Sequence, residues 1–325
     1  MTTTLITGGA GFIGSHLVDH CLSEGGRILV IDDLSTGRLD NLDQHRGNAN
    51  LEIVTESLVA NSILDDYVKR CNRVFHLAAA VGVRRLNEAP DRVLCSNLNS
   101  TVAVLQSCAR HQRPVLIASS SEVYGKSRAL PQQEDAELIY GPPTEVRWAY
   151  ACSKAAGEFL AQAYHRRQGL PVVTARFFNT VGPRQSGQYG MVVPRFINQA
   201  LAGQPITVYG DGLQTRCFCH VTDIVRAAAK LMDTSTAYGE IVNLGSDDQV
   251  TIESLAELVK EMTGSASEIV TVPFEQAYGP DLKDMRDRKP DISKARALID
   301  FQPTMGLRDI LADTIEYQRQ AREIA

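Results

Sequence analysis

The sequence lacks the features that mark membrane and secreted proteins. None of its apolar runs reaches the roughly 20 residues that a membrane-spanning helix needs. The opening MTTTLITGG carries no basic segment of the kind that begins a signal peptide. Its seven cysteines are an odd number and show no disulfide framework. These absences predict a cytoplasmic chain with reduced thiols and no membrane association.

An excess of basic residues is also missing. Lys and Arg number 33 against 38 Asp and Glu, a net charge of −5, whereas nucleic-acid-binding domains usually present a basic face. We therefore expect no nucleic-acid partner, although a few arginines can still bind an anionic ligand inside an acidic protein. There is no internal repeat and no low-complexity tract, and 325 residues suffice for one large or two intertwined domains.

The first half of the chain alternates strand-like and helix-like segments. Apolar, β-branched runs predict strands, and between them apolar residues at helical spacing predict helices. The strands are expected at 3–7, 27–32, 51–55, 73–78, 114–119 and 171–177, and the helices at 12–23, 93–110 and 149–167. Strands separated by helices are typical of a parallel, doubly wound α/β sheet. Residues 1–178 are therefore predicted to form one doubly wound α/β domain.

After residue 178 the pattern loosens. Residues 182–190 are rich in Gly and polar residues, as a loop is. The segments that follow are short, with helices expected at 193–201, 254–263 and 307–323 and strands at 206–209 and 240–244. We interpret residues 179–325 as a smaller α/β substrate-binding lobe. Its boundary is approximate, because some of its strands can return to the first domain.

A Gly-rich turn joins the first predicted strand to the first helix. In GGAGFIG, Gly8, Gly11 and Gly14 allow a tight turn, close approach of a pyrophosphate and close packing of helix on strand. The helix N-terminus offers free N–H groups to the phosphates. Asp32 ends the second strand, 18 residues after Gly14, where a carboxylate accepts hydrogen bonds from ribose and repels a 2′-phosphate. This context favours a nucleotide-binding turn over an incidental Gly-rich turn, and it favours NAD over NADP. Residues 1–178 are therefore predicted to be a Rossmann-type NAD-binding domain.

Tyr150 and Lys154 are four residues apart at the start of a predicted helix and therefore share one face. A phenol has an unperturbed pKa near 10, and a nearby ammonium lowers that value. Tyr150 can then take a proton from a hydroxyl while hydride leaves the adjacent carbon. The alternative is a core tyrosine beside a solvated lysine, and the upstream nucleotide turn favours the catalytic interpretation.

Together, TGGAGFIG, the Tyr150/Lys154 pair and residues 119–125 resemble the extended short-chain dehydrogenase/reductases, over essentially the whole chain. The resemblance implies action on nucleotide sugars, tightly held NAD and a homodimer built on the two long helices. It also implies that Ser120 hydrogen-bonds the substrate hydroxyl and that Asn97 is a structural asparagine. The cofactor residues expected besides those above are Phe12, Ile13, Ser57, Leu58, Leu77, Ala78, Ala79 and Asn97. One departure is Glu56-Ser57-Leu58, where the family has Asp before an aliphatic residue.

The stretch SSSEVYG separates the subgroups of this family. Ser121 takes the position of an aspartate in the 4,6-dehydratases. Glu122 is present here, whereas simple 4-epimerases usually lack this glutamate. This pattern resembles the nucleotide-sugar glucuronate decarboxylases, as does RDRKPDI, in which Arg288 matches a catalytic arginine. The resemblance implies oxidation at C4, loss of CO₂ from the β-keto acid and a UDP-4-keto-pentose or, after reduction, UDP-xylose. Ser120, Ser121, Glu122, Tyr150, Lys154 and Arg288 are the predicted catalytic residues.

Several alternatives stay open. A 4-epimerase or a 4,6-dehydratase would use the same cofactor and the same Tyr–Lys pair. A non-catalytic NAD-binding regulator would not need Tyr150. Taken alone, Glu122 and Arg288 also fit solvated surface charges.

The second half of the chain supplies the expected contacts to a UDP- or dTDP-linked sugar. By resemblance, Asn179 meets the diphosphate, and Arg216 binds phosphate, a role that suits a planar guanidinium. Val193, Phe196 and Tyr209 are expected at the nucleobase, with ordinary helix core as the alternative for Val193 and Phe196. Cys217-Phe218-Cys219-His220 has no second ligand cluster, so we expect no metal site.

Overall fold

A computed structural model describes residues 1–59, 63–187, 190–278 and 285–324. Its strands are β1 (Thr3–Thr7), β2 (Arg27–Ile31), β3 (Leu51–Val54), β4 (Arg73–His76), β5 (Val115–Ser120), β6 (Val172–Phe177), β7 (Thr180–Val181), β8 (Ile206–Tyr209), β9 (Thr215–Cys217), β10 (Cys219–His220), β11 (Ile241–Leu244), β12 (Gln249–Thr251) and β13 (Ile269–Val272).

The α-helices include two long ones, α4 and α5, which pack against each other. In chain order they are α1 (Phe12–Ser23), α2 (Ile63–Arg70), α3 (Val83–Glu88), α4 (Pro90–His111), α5 (Trp148–Gln168), α6 (Val192–Leu201), α7 (Val221–Met232), α8 (Ile252–Thr263), α9 (Phe274–Tyr278), α10 (Ser293–Ile299) and α11 (Leu307–Ile324). A 3₁₀ turn at Ser121–Tyr124 follows β5.

Seven parallel strands form the central sheet, in the order β11-β6-β5-β4-β1-β2-β3. Most residues of these strands are buried, as expected of apolar strands covered by crossover helices, whereas the edge strand β3 is only partly covered. The predicted doubly wound α/β fold is confirmed. Chain order reverses between β1 and β4, and ligands of such sheets bind at that point, beyond the carboxyl ends of the strands.

Helices cover both faces of this sheet. On one face α1, α7 and α10 enclose a core that includes Leu17, Ile224 and Ile299. On the other face α2, α4 and α5 enclose a second core around Leu64 and Leu105. The two long helices predicted from sequence therefore lie side by side on one face, next to β5 and the 3₁₀ turn that follows it.

The chain after residue 178 contributes to both parts of the molecule. A separate apolar cluster joins α6, α8 and α11, and it includes Phe196, Leu255 and Leu311. Two small strand pairs, β8 with β13 and β9 with β12, flank it. However, β11 lies in the central sheet beside β6, and α7 packs on α1. The domain boundary at residue 178 stays a prediction. Segments that follow residue 178 in the chain, β11 and α7, pack with the first part of the chain.

Candidate functional site

A cleft of about 490 Å³ opens at the carboxyl ends of the central strands. The Gly-rich turn, the residues after β4 and β5 and the start of α5 line it from the sheet side. Residues around α6, β8 and β9 line it from the other lobe. The cleft thus brings together nearly all the site residues predicted from sequence.

The Gly-rich turn is shaped to receive a phosphate chain. Gly8 has a φ of +74°, and a Cβ there would lie 2.7 Å from the backbone nitrogen of Ala78. A Cβ on Gly14 would lie 2.0 Å from the carbonyl oxygen of Gly8, so helix α1 packs directly on the turn. No side chain caps α1 at Gly11, which leaves its first N–H groups for an anion. These features fit the pyrophosphate of NAD.

Asp32 braces this turn while facing the cleft. Its Oδ2 accepts a hydrogen bond from the Ala10 N–H (2.9 Å), and its Oδ1 accepts one from the Leu34 N–H (2.8 Å). Burial raises the pKa of Asp32, and the two N–H groups oppose that shift. Each carboxylate oxygen retains lone-pair capacity for a ribose hydroxyl. The geometry fits the predicted preference for NAD.

The other predicted cofactor residues divide into two groups. Those that line the cleft are Phe12, Ile13, Ser57, Leu58, Leu77, Ala78 and Ala79. Asn97 does not line it: its Oδ1 accepts from the Ala80 N–H (2.7 Å), and its Nδ2 donates to the Ser153 hydroxyl (3.2 Å). The expected cofactor contact of Asn97 is therefore corrected. The side chain instead ties the loop after β4 to α5, as a structural asparagine does.

Glu56 is noted in the sequence as part of a departure from the family pattern but is not assigned to the cofactor site. It lines the cleft just after β3, and its Oε2 is buried with no hydrogen-bond partner among the described residues. The neighbouring Ser57 is exposed, and its hydroxyl accepts from the Val59 N–H (3.4 Å). A buried carboxylate oxygen without a partner is costly unless a ligand donates to it. Glu56 is thus better placed than Ser57 to accept a donor from the cofactor.

Tyr150 and Lys154 both lie in the cleft near the start of α5. Lys154 Nζ donates to the Ala118 carbonyl (2.9 Å) at the end of β5. Burial lowers the pKa of Lys154 to about 8, against the opposing charge of Glu158. Burial raises the pKa of Tyr150, Glu122 raises it further, and a hydrogen bond with Ser120 opposes both. The lowered phenol pKa expected from sequence is therefore wrong for the protein alone, because desolvation and the charge of Glu122 outweigh the hydrogen bond with Ser120.

Glu122 sits between two arginines. Its Oε1 contacts Arg288 Nη1 at 2.6 Å, and its Oε2 contacts Arg147 Nη2 at 2.8 Å. Burial works to raise the pKa of Glu122, but Arg147, Arg288 and Arg216 together hold it below its usual value. Glu122 is therefore a carboxylate. The alternative of solvated surface charges for Glu122 and Arg288 is wrong, because Arg288 is only 7% exposed and the Glu122 side chain only 16%.

The serines before Glu122 shape the turn that presents it. Ser120 accepts a hydrogen bond from the Glu122 N–H (3.3 Å) and so caps the 3₁₀ turn. Ser121 is buried and lines the cleft. The preceding Ser119 donates to Glu158 (2.5 Å), which also receives two bonds from Arg176 (2.9 and 2.8 Å). This buried network fixes the end of β5 against α5.

The predicted substrate residues of the second lobe mostly reach the cleft. Asn179 donates to the Cys217 carbonyl (3.0 Å), and Arg216 Nη1 donates to the Thr215 carbonyl (2.8 Å). Val193 and Tyr209 also line the cleft. Phe196 does not, because it is fully buried in the apolar cluster of the second lobe. Its expected contact with the nucleobase is wrong, and the helix-core alternative holds.

Two further arginines went unassigned in the sequence. Arg147 is the N-cap residue of α5, three positions before Tyr150, and it lines the cleft. Arg195 lies 3.7 Å from the ring centroid of Tyr209, in cation–π contact. The spacing of Arg147 from Tyr150 was a usable signal, but its burial depends on the tertiary fold. Arg195 lies on the helical face next to Phe196, and periodicity alone does not distinguish which of the two faces the cleft.

Two negative findings apply to the part of the chain that the structure describes. Within it, no group of three or more His, Cys, Asp or Glu side chains is arranged to hold a metal ion. Nor does any helix in the described ranges combine the length and apolar character needed to cross a membrane.

Comparisons with known proteins agree with this geometry. A model described as the NAD dependent epimerase/dehydratase family matches residues 4–245. A UDP-N-acetyl-alpha-D-glucosaminuronate decarboxylase from Bacillus cytotoxicus is 39% identical over 317 residues, which cover 97% of each chain. UDP-glucuronic acid decarboxylase 1 from Xenopus tropicalis is 36% identical over 321 residues, covering 98% of this chain and 72% of that protein.

A solved structure extends the likeness to a bound complex. UDP-glucuronic acid 4-epimerase from Bacillus cereus, in complex with UDP-glucuronic acid and NAD, superposes with a TM-score of 0.88 at 28% identity. The match covers 98% of this chain and 99% of that one.

Proposed function

Because this chain belongs to the NAD dependent epimerase/dehydratase family, we propose that it is an NAD-dependent decarboxylase of nucleotide-linked glucuronic acid. UDP-glucuronate is the substrate we assign to it. The observation that carries the proposal is the group of charges around Glu122. The Tyr150/Lys154 pair is common to many reactions at C4, whereas two buried arginines next to it suit a substrate with a carboxylate at C6.

The cofactor site is assigned to the turn around Gly8, Gly11 and Gly14, with Asp32 at the ribose. NAD, when bound there, supplies the hydride acceptor for C4 and a positive ring near the phenol. The chain itself supplies the base. Tyr150 Oη takes the proton of the sugar 4-hydroxyl, Ser120 hydrogen-bonds the reacting oxygen, and Lys154 stabilises the phenolate by its charge.

Loss of CO₂ follows from the ketone at C4. The C6 carboxylate is then β to a carbonyl, so the C5–C6 bond breaks, C6 leaves as CO₂ and the electron pair forms an enolate across C5, C4 and the C4 oxygen. A proton from solvent water then adds at C5, which gives the 4-keto pentose. We assign binding of the substrate carboxylate to Arg288. The 3₁₀ turn at Ser121–Tyr124, which contains Glu122, orients the C5–C6 bond. Return of hydride to C4 would give UDP-xylose, and release before that step gives the 4-keto pentose.

Mass spectrometry of the products from a panel of nucleotide sugars tests this proposal. With NAD present, UDP-glucuronate should yield a UDP-pentose or its 4-keto form, whereas UDP-glucose should yield neither. Tyr150→Phe should abolish turnover while leaving NAD binding intact, because the phenol acts on the substrate hydroxyl. Retained turnover in that variant would remove Tyr150 from the mechanism, and lost NAD binding would make it structural.

A uronate 4-epimerase is the second candidate. The likeness to the Bacillus cereus 4-epimerase favours it, since that enzyme was solved with the same uronate. Such an enzyme would interconvert UDP-glucuronate and UDP-galacturonate with all carbons retained. The panel separates the two functions by product mass. A 4,6-dehydratase is disfavoured by Ser121, which supplies no carboxyl group for loss of water.

We also propose a homodimer formed through α4 and α5. Phe159 on α5 is 73% exposed, and the nearby Ile139 is 44% exposed. Large apolar side chains exposed together mark interaction surfaces. Sedimentation should give a dimer for the wild type and a monomer for Phe159→Asp, and an unchanged dimer in the variant would exclude this face.

A cytoplasmic location is proposed from the seven cysteines, all of them free thiols.

A further inference from the structure

Arg147 has hydrogen-bonding capacity in the cleft that none of the described residues uses. Its side chain lines the cleft and is 7% exposed. One end of the guanidinium contacts Glu122 Oε2 at 2.8 Å. Its Nε is buried and finds no hydrogen-bond partner in the described part of the chain. A buried donor of this kind is costly unless a ligand or a partner completes it.

Local stability does not account for an arginine at this position. Arg147 is the N-cap residue of α5, and its side chain makes no capping hydrogen bond. N-cap positions favour Ser, Thr, Asp and Asn. A positive charge is disfavoured at a helix N-terminus by the helix dipole, and burial adds a desolvation cost. The interaction with Glu122 is what holds the side chain there.

The ion pairs at Glu122 join one carboxylate to two guanidinium groups, those of Arg147 and Arg288. The charge of Arg216 also lowers the pKa of Glu122. A second carboxylate that enters this site meets guanidinium groups able to form charge-assisted hydrogen bonds with it. A sugar carboxylate is such a group, and the hydroxymethyl group of a neutral hexose is not.

We propose that Arg147 is a specificity-determining residue that makes the cleft select nucleotide-linked uronates over the corresponding neutral hexoses. When the substrate carboxylate takes over Arg288, Glu122 gives up that contact and stays on Arg147 through Oε2. Arg147 thus supplies the charge that keeps two carboxylates in one site. The inference rests on the proposed function for the ligand class, but it concerns binding and not loss of CO₂.

Calorimetric titration of the NAD-loaded protein tests this inference in a Tyr150→Phe background, where turnover is blocked. UDP-glucuronate, UDP-glucose and UDP are the three ligands. The parent should prefer UDP-glucuronate over UDP-glucose, and Arg147→Met should reduce that ratio by about tenfold to hundredfold. Affinity for UDP and UDP-glucose should stay nearly constant, and Arg147→Lys should restore part of the ratio.

Arg286→Gln is the matched control, because Arg286 is an exposed arginine paired with Asp211 and lies two residues before Arg288 in the chain. It should leave the ratio unchanged. The inference is overturned if the parent shows no preference, if Arg147→Met keeps it, or if that variant loses all three ligands equally. Wild-type protein that prefers uronates through Arg147 but releases no CO₂ would refute the decarboxylase alone. Release of CO₂ with a preference independent of Arg147 would refute this inference alone.

Discussion

At the scale of single residues, Tyr150 and Lys154 are both shifted away from the charge states that their roles require. Burial raises the pKa of Tyr150 and lowers that of Lys154 to about 8. A phenolate is therefore disfavoured until a positive group joins the site. The nicotinamide ring of NAD⁺ is such a group, which explains why a base of this kind would act only in the loaded enzyme. Spacing identifies the pair in the sequence, but the sign of the shift depends on burial.

Lys154 gives a stability test of this environment. Its pKa of about 8 in the folded chain lies below the ordinary 10.5, so between these values the unfolded chain binds the extra proton. The free energy of unfolding should then rise with pH in that window through this group. Lys154→Met removes the contribution. Urea unfolding at pH 7 and pH 10 measures this: the free energy of unfolding of the wild type minus that of the variant should be larger at pH 10 than at pH 7.

The effect of Lys154 on the free energy of unfolding should change with pH only between about pH 8 and 10.5. Below about pH 8 the lysine is charged in both states, so its contribution there does not vary with pH. The other titrating groups are common to wild type and variant and largely cancel in the difference. A difference independent of pH would show that Lys154 titrates as an exposed lysine does, against the buried position at Ala118.

At the scale of elements, the Gly-rich turn and α1 act as one unit. A Cβ on Gly14 would lie 2.0 Å from the Gly8 carbonyl oxygen, closer than the backbone tolerates. Gly14→Ala should therefore separate α1 from the turn and lower NAD affinity by about a hundredfold or more, as fluorescence titration would measure. Gly306→Ala is the control, because its nearest neighbour is 3.6 Å away. Equal NAD affinity in both variants would contradict the close packing.

Helix α5 is held to the sheet by a buried ion pair. Arg176 on β6 donates twice to Glu158, at 2.9 and 2.8 Å, and both side chains are almost fully buried. Glu158→Ala leaves the guanidinium without its partner, so the free energy of unfolding should fall by about 3–5 kcal/mol in denaturant titration. Glu261→Ala breaks an exposed pair with Arg308 and should cost under about 1 kcal/mol. Similar losses in both variants would contradict the account.

At the scale of the whole molecule, the sequence predicts the sheet better than it predicts the second lobe. The alternation of strands and helices is strong enough to predict the doubly wound sheet, and β1 and α1 match their predicted bounds. The segment at 240–244 gives no sign in the sequence of its destination, because pairing with β6 spans more than sixty residues. The sequence thus allows for strands that return to the first domain, but it does not identify which strand does so.

The cleft shows the same limit. Gly8, Asp32, Tyr150 and Glu122 belong to local motifs, and local motifs can be read from sequence. Phe196 was misassigned because helical periodicity does not distinguish the face that meets a core from the face that meets a ligand. Contacts such as Arg147 with Glu122, 25 residues apart, require the folded chain.

The most direct test of the central claim follows the carboxyl carbon of the substrate. Purified protein would be incubated with NAD and UDP-glucuronate labelled with ¹³C at C6, and both gas and nucleotide products would be analysed by mass spectrometry. The account predicts that the label leaves as ¹³CO₂, in step with the appearance of an unlabelled UDP-pentose or its 4-keto form. Label that stays in a uronate throughout, whether epimerised or unchanged, would contradict it.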